Sequence, residues 1–414
     1  MKILKLAAYY EPEQVSSSHL TKDLEKYLIK NDFKIEIYVP IPTRNVSDKE
    51  RKIYKKIKYE EKYEGKIEIH RFAMFREGKN PLLRAFRYIL CNIVQYWKGT
   101  HTKNIDVIFG SSTPPTQGLL CSLVKKKLKV PFIYNLQDVF PDSLVHAGLT
   151  QKGSLLWKIG RKIENYTYEY ADQIIVISED IKKNIMEKGV PESKITVIRN
   201  WVDTDKVYPI EKKDNRLRKE LQLKDDIFYV VYAGNLGKAQ GVEILIDAAN
   251  QLENEKNIEF LIFGNGVEEE LLKNKITNLK LKNIIIYPLQ PEARVAEVYS
   301  LGDVCIVSCR KGYGRNAFPS KTVSIMATAT PIIASFDKES ELCDLLEEYK
   351  AGIYSEPENA DYLVDVIQYL KHHDDERKKM GINGRKLVEK QFSKEMCTEK
   401  YVVPLNNLTK SISK

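Results

Sequence analysis

Phe228-Tyr229-Val230-Val231-Tyr232-Ala233-Gly234-Asn235-Leu236-Gly237-Lys238-Ala239-Gln240-Gly241 decides the fold. Six apolar or aromatic residues read as a strand buried on both faces. The glycine-rich stretch after them makes a tight turn, and Val242 to Leu252 follows with helical spacing. A buried strand feeding a helix through a glycine turn is the unit of a parallel sheet covered by helices. Outward from this unit the rhythm repeats, with strands expected at Ile258 to Phe263, Ile284 to Pro288, Val304 to Ser308 and Pro331 to Ser335. Helices are expected near Val267 to Lys275, Pro291 to Ser300 and Ser320 to Thr328. Upstream lies a first series, with strands at Ile3 to Ala8, Phe33 to Val39, Asp106 to Phe109, Val130 to Tyr134, Gln173 to Ile177 and Ile195 to Ile198. Helical patterns at His19 to Lys30, Thr116 to Lys127 and Leu155 to Tyr170 separate them.

The chain therefore reads as two Rossmann-like halves. Charged Asp203 to Asp226 has no long apolar run and marks the break. The expected domains are residues 1–200, residues 201–390, and a helical tail over 391–414 that packs on either one. Open α/β sheets bind ligands beyond the carboxyl ends of their strands, so a cleft between the halves is the expected site.

Composition narrows the class. The 414 residues are 43% hydrophobic and 30% charged, which gives enough apolar material for real cores. Lysine and arginine number 66 against 57 acidic residues, a net charge of +9 that biases the surface toward anionic partners without selecting one. No apolar run reaches the roughly 18 to 20 residues of a membrane span, and Met1 to Leu6 reads as a strand, so a cytoplasmic location is expected. The six cysteines, at 91, 121, 305, 309, 343 and 397, form no CxxC pair and read as small buried hydrophobes. The histidines form no metal-binding motif.

Four strand-end loops are candidates for chemistry. In the first, glycines let backbone approach a phosphate and Lys238 offers a point charge, although a glycine turn also serves packing alone. The second, Phe263-Gly264-Asn265-Gly266, lacks the third glycine of a dinucleotide fingerprint. The third, Lys311 to Lys321, leads into a helix of small residues. Arg315, Ser320, Lys321 and the helix amides together read as an anion site. The fourth, Asn135 to Ser143, offers Asp138 to orient or accept a proton from a hydroxyl, while Asp142 after Pro141 reads as a helix cap.

As a set, several stretches resemble the retaining nucleotide-sugar glycosyltransferases of the GT-B fold, glycosyltransferase family 4, also called group 1. They are Gln137 to Asp142, Ala171 to Ser178, Lys194 to Asp203, Gly234 to Gly241, Pro319 to Ala327 and Pro331 to Ser335. The likeness covers nearly the whole chain and is strongest to enzymes that add N-acetylated 6-deoxyhexosamines, such as N-acetyl-fucosamine, to lipid-linked precursors of bacterial surface polysaccharides. The departures are specific. Where the family has two glutamates eight residues apart, this chain has Asn316 and Ser324. Where it has an arginine and a lysine five apart, this chain has Asn235 and Gln240. Ser16-Ser17-Ser18 stands for a glycine pair, and Gln137 for a histidine.

The resemblance implies transfer with retention from a UDP-sugar to a polyprenyl-diphosphate-linked acceptor. Gly264, Gly266 and Leu289 would lie around the base, with Glu341 or Ser324 near the ribose. Lys238, Arg315 and Lys321 would face the diphosphate, with no metal required, and Asp138 with Ser16 and Ser17 would face acceptor or sugar hydroxyls. Asp203-Thr204-Asp205 reads as a turn.

Between Pro81 and Lys98, residues Leu82, Phe86, Ile89, Leu90, Ile93 and Trp97 recur at helical spacing, with Arg76, Lys79, Arg84, Arg87 and Lys98 around them. This stripe fits either a buried helix or one lying on the inner face of an anionic membrane. Two further readings are a nucleotide-sugar epimerase of the same architecture, which needs more carboxylates than this chain offers, and a sugar-nucleotide-binding protein without turnover. Nucleic-acid binding is excluded by the scattered basic residues.

Overall fold

The computed structural model describes residues 1–13, 18–78, 80–146, 148–314 and 318–410. It has two compact α/β units. Met1–Arg199 with the chain from Thr398 onward forms the first, and Asn200–Cys397 forms the second. The tail thus divides: residues 391–397 belong to the second unit and the rest to the first, where the Val402–Lys410 helix packs on the sheet.

In the first unit the strands are β1 (Lys2–Leu6), β2 (Lys34–Pro40), β3 (Tyr59–Lys62), β4 (Ile67–Phe72), β5 (Val107–Ser111), β6 (Phe132–Leu136), β7 (Gln173–Val176) and β8 (Ile195–Val197). Their order is β3-β4-β2-β1-β5-β6-β7-β8, with every pairing parallel except β3 with β4. The second unit contains β9 (Phe228–Asn235), β10 (Ile258–Asn265), β11 (Ile284–Tyr287), β12 (Val304–Ser308), β13 (Ile332–Ser335) and β14 (Gly352–Ser355). All are parallel, in the order β11-β10-β9-β12-β13-β14. Each sheet reverses its winding once, between β1 and β5 and between β9 and β12. At such points neighbouring connections diverge and leave room for a ligand at the strands' carboxyl ends.

Phe228 to Ala233 are all buried, as a strand covered on both faces requires. Two apolar layers sandwich this sheet, one around Tyr229, Val231 and Met326, the other around Val230, Tyr232 and Leu245. The six cysteines are free and buried.

The Pro81–Thr100 helix starts from Asn80, whose side chain accepts from the Leu82 and Leu83 amides. Its apolar stripe faces outward: Leu82, Phe86, Ile89, Ile93 and Trp97 are each more than half exposed. The buried stripe is Arg87, Cys91 and Gln95. Arg87 is therefore no part of a basic rim, because its guanidinium lies inside, with Nε donating to the Phe75 carbonyl at 3.2 Å. Gln95 Nε2 donates to the carbonyls of Ala7 (2.8 Å) and Tyr38 (3.0 Å), bridging the end of β1 to β2 beside the bond from the Ala7 amide to the same Tyr38 carbonyl (3.0 Å). Lys79 lies outside the described residues. Among the described residues, no helix is long and apolar enough to cross a membrane.

Candidate active site

The carboxyl end of β9 is where the second unit gathers its candidate groups. Gly234 has φ +144°, and a Cβ there would fall 2.8 Å from Lys321 Nζ. The missing side chain makes the channel through which Lys321 crosses. Lys321 stands in the first turn of the Ser320–Ala327 helix, and its amino group rests 3.7 Å from the centroid of the Tyr232 ring. Part of the stem reaches solvent, but Nζ is sealed and has no hydrogen-bond partner among the described residues. Desolvation disfavours the charged form and pulls its pKa from 10.5 to about 7. The cation–π contact offsets only part of that cost. No counter-charge for Lys321 lies among the described residues, and a buried amino group in that position gives up its proton easily unless an anion joins it.

Around Lys321 the turn is built from amides. Asn235 Nδ2 donates to Gln240 Oε1 at 3.3 Å, so the two residues standing where the family has cations pair with each other. Tyr232 donates its hydroxyl to the Asn235 carbonyl at 2.8 Å. Lys238 is exposed, and its carbonyl accepts from Arg310 Nε at 2.8 Å. Ser308 at the end of β12 donates to the Gln240 carbonyl at 2.8 Å, pinning the turn across the point where the winding reverses.

Gly264 and Gly266 have a packing explanation. A Cβ on Gly264 would come 2.3 Å from the Gly234 carbonyl oxygen, and one on Gly266 the same distance from that of Leu236. These contacts alone require glycine at both positions.

The loop after β12 is held from below. Asp337 accepts from the Gly312 amide at 2.8 Å and the Gly314 amide at 2.7 Å. Arg315 and Asn316 follow directly and lie outside the described residues, as do Ser16 and Ser17. Ser320 is exposed and Ser324 half-buried on the helix of Lys321. Leu289 is half exposed beyond β11, two strands from β9 on one side. Glu341 is buried at the start of the Glu341–Glu348 helix, after β13 on the other side.

In the first unit Ser112, buried just past β5, is the anchor. Its Oγ accepts from the Gln137 amide at 3.0 Å and the Asp138 amide at 3.2 Å, which turns the chain at the end of β6. Asp138 is exposed there, so the upward push that the surrounding protein gives its carboxyl is weakened by solvent. Gln137 Nε2 donates to Asn135 Oδ1 at 3.2 Å. Asp142 begins the Asp142–His146 helix and takes an ion pair from Lys188 at 2.8 Å. Burial raises its carboxyl, but Lys188 and Arg161 outweigh that and hold it below the usual range.

Asp203 is tied to Lys394 at 2.9 Å and accepts from the Asp205 amide at 3.2 Å, which is a turn held by a lysine. Among the described residues, Glu36, Glu68 and His70 are the group that could gather around a metal ion, but Lys2 Nζ already lies 2.7 Å from Glu36 and 3.0 Å from Glu68. Two open recesses, of about 420 Å³ beside Glu356 and about 630 Å³ beside Met74, include none of these site residues.

Sequence reasoning missed Tyr232, Asp337, Ser112 and Arg310. Ser112 was within reach, since Ser111-Ser112-Thr113-Pro114 follows an expected strand. Tyr232 reads as core until Lys321 is seen above it.

Residues 18–206 match the family model described as Glycosyltransferase Family 4, and residues 213–387 match that described as Glycosyl transferases group 1. The probable glycosyltransferase WbjE of Pseudomonas aeruginosa is 25% identical over 332 residues, 80% of this chain and 82% of that protein. The O-antigen biosynthesis glycosyltransferase WclY of Escherichia coli is 23% identical over 319 residues, 75% of this chain and 82% of that protein. Among solved structures, Anabaena Alr3699/HepE in complex with UDP shares the fold with a TM-score of 0.74, at 15% identity over 98% of this chain and 100% of that one.

Proposed function

This chain is a glycosyltransferase of group 1 with a family 4 domain as its first half, and we propose that it serves surface-polysaccharide synthesis at the O-antigen or capsule repeat unit. In this reading it moves an N-acetylated 6-deoxyhexosamine from a UDP-sugar to a polyprenyl-diphosphate-linked acceptor, with retention at the anomeric carbon. The observation that carries a nucleoside-diphosphate donor is Lys321, a sealed amino group without a counter-charge at the carboxyl end of β9.

In this reading the residues take the following roles. Lys321, with Lys238 on the turn it borders, stabilises the negative charge that grows on the diphosphate as the glycosidic bond breaks. Such fixed charge in a dry site lowers the barrier by roughly several kcal/mol. Because Asn235 and Gln240 are neutral, the charge enters from the helix side of the turn instead of from the turn itself. The cations and amides neutralise the leaving group in this reading, and no metal takes part. Glu341 or Ser324 holds the ribose, and Leu289 borders the base. Asp138, fixed by Ser112, orients a hydroxyl of the acceptor. The outward apolar face of the Pro81–Thr100 helix supports an acceptor held at the inner membrane surface.

The test is a thermal-shift series with UDP, GDP, ADP and UDP-N-acetylhexosamines, each with EDTA and with magnesium. The expected result is a midpoint raised by UDP in EDTA, absent in Lys321→Met. No shift with any uridine nucleotide at millimolar concentration overturns the donor assignment. For the transfer step, the anomeric coupling of product made on a short-chain polyprenyl-diphosphate sugar distinguishes retention from inversion.

A further inference from the structure

Three helices of the first unit lie side by side in the order Pro81–Thr100, Gln117–Leu128, Leu155–Tyr170. They run in the same sense. Asn92 Nδ2 meets Thr116 Oγ1 at 2.8 Å and Gly99 packs near Val124, while Gly118 packs on Thr167 and Lys125 Nζ reaches the Tyr170 carbonyl at 2.8 Å. Counting from these contacts, Leu82 lies about ten residues, and Leu155 about seven to eleven, beyond the start of the middle helix. At about 1.5 Å per residue, both outer helices overshoot it by roughly 10–16 Å, at the same edge of the unit. With the middle helix between them, the two projections stand about 16–20 Å apart.

Both projections are apolar and lack exposed acids. On the first, Leu82, Leu83, Phe86 and Ile89 are each more than half exposed. On the second, Leu149 and Leu155 are about 70% exposed or more, and Leu156 and Ile159 about half. Residues 80–100 and 149–163 contain no aspartate or glutamate, and Lys152, Lys158 and Lys162 are exposed on the second projection. A groove-binding peptide occupies one continuous strip. Two apolar prongs separated by a helix width and dressed only with basic charge match a flat anionic surface instead.

We propose that Leu149–Ile159 is a second membrane-inserting element, which with the start of the Pro81–Thr100 helix docks the first unit on an anionic bilayer at two points. This extends the lipid-acceptor reading above and rests on it. Either prong alone binds weakly and reversibly, and two joined rigidly gain by effective concentration. The edge they share is also the edge where β1 and β5 end, which brings the carboxyl ends of that sheet next to the lipid surface.

The experiment is flotation of the full chain with phosphatidylcholine vesicles containing 30% phosphatidylglycerol or none, for the wild type, Leu155→Glu/Ile159→Glu, and Leu82→Glu/Phe86→Glu. All positions are exposed, and an unchanged circular-dichroism spectrum and melting midpoint verify the fold. The expected result is wild-type binding to the anionic vesicles only, reduced tenfold or more by either double substitution. If the wild type binds and only Leu82→Glu/Phe86→Glu loses binding, the second element is overturned while the membrane reading stands. A wild type that binds no vesicle overturns both. If Leu155→Glu/Ile159→Glu instead dissociates a wild-type dimer, seen by light scattering, with vesicle binding unchanged, the surface is a protein interface and the proposal falls.

Discussion

Lys321 Nζ lies 3.7 Å from the centre of the Tyr232 ring and makes no hydrogen bond among the described residues. An ammonium in such a place costs the fold free energy that a ligand recovers. Replacing Lys321 with methionine, of similar length and no charge, therefore stabilises the unliganded protein at pH 7 by an amount on the order of 1–3 kcal/mol, while abolishing the response to UDP. Urea midpoints of the two proteins with and without UDP measure both effects. A destabilised Lys321→Met refutes the assignment of an uncompensated charge.

The sign of the pH dependence follows from the direction of the shift. The unfolded chain keeps the Lys321 proton up to about 10.5, and the folded chain only up to about 7. Between these values the unfolded state binds more protons, so stability rises with pH from 7 to 10.5. Below about 7 the full penalty applies and the contribution is flat. The difference in unfolding free energy between Lys321→Met and wild type should shrink across this window, which denaturant titrations from pH 6 to 10 would show.

UDP affinity should respond in the opposite way. The bound diphosphate favours charged Lys321, so affinity falls above pH 7 by up to tenfold per unit, while below 7 this group contributes no slope. Calorimetry in buffers of different ionisation enthalpy should find proton uptake on binding at pH 8, absent in Lys321→Met.

Gly234→Ala places a methyl 2.8 Å from Lys321 Nζ on a backbone with φ +144°. The expected outcome is a loss of about 1–3 kcal/mol in stability and at least a tenfold loss of UDP affinity, as the lysine is pushed from its channel. Part of the stability should return in Gly234→Ala/Lys321→Ala, since the clash is gone although the strain remains.

Asp337→Ala frees the Gly312 and Gly314 amides that its carboxylate holds. Hydrogen bonds to a charged group are worth roughly 1.5–3 kcal/mol each. Proteolysis within residues 310–314 should accelerate. Unchanged cleavage would count against Asp337 as the anchor of this turn.

Ser112→Ala removes the acceptor shared by the Gln137 and Asp138 amides. Turnover should drop at least tenfold while UDP affinity stays at the wild-type value, because Ser112 belongs to the other unit. Steady-state kinetics beside UDP binding separates this positioning role from a general loss of fold.

The alternation of buried strands with helices was legible in the sequence because most of the strands are short β-branched or aromatic runs and the helices have their own period, both local properties. Phe228 to Ala233 and Ile258 to Phe263 lie within observed strands for that reason. Strands β3 and β4 escaped, since Tyr59–Lys62 is three charged residues after a tyrosine and Ile67–Phe72 carries Glu68, His70 and Arg71. Their pairing depends on a partner strand that no local pattern names. The GxG at Gly264 suggested a ligand loop, whereas the close approach of β9 and β10 is sufficient reason for both glycines.

What the sequence by itself determined is the class of fold, the glycine turn after β9, and Lys321 as a candidate cation. Its neutral neighbours Asn235 and Gln240 could be read there too. Tertiary structure alone decided that Lys321 lies over Tyr232 without a counter-charge, since residues 89 positions apart meet only when β9 and the Ser320–Ala327 helix pack. It also decided which side of the Pro81–Thr100 helix faces out. An apolar stripe normally marks the core side, but here Arg87, Cys91 and Gln95 face inward, Gln95 and Arg87 donating to carbonyls of Ala7, Tyr38 and Phe75, and the apolar stripe is left to the surface.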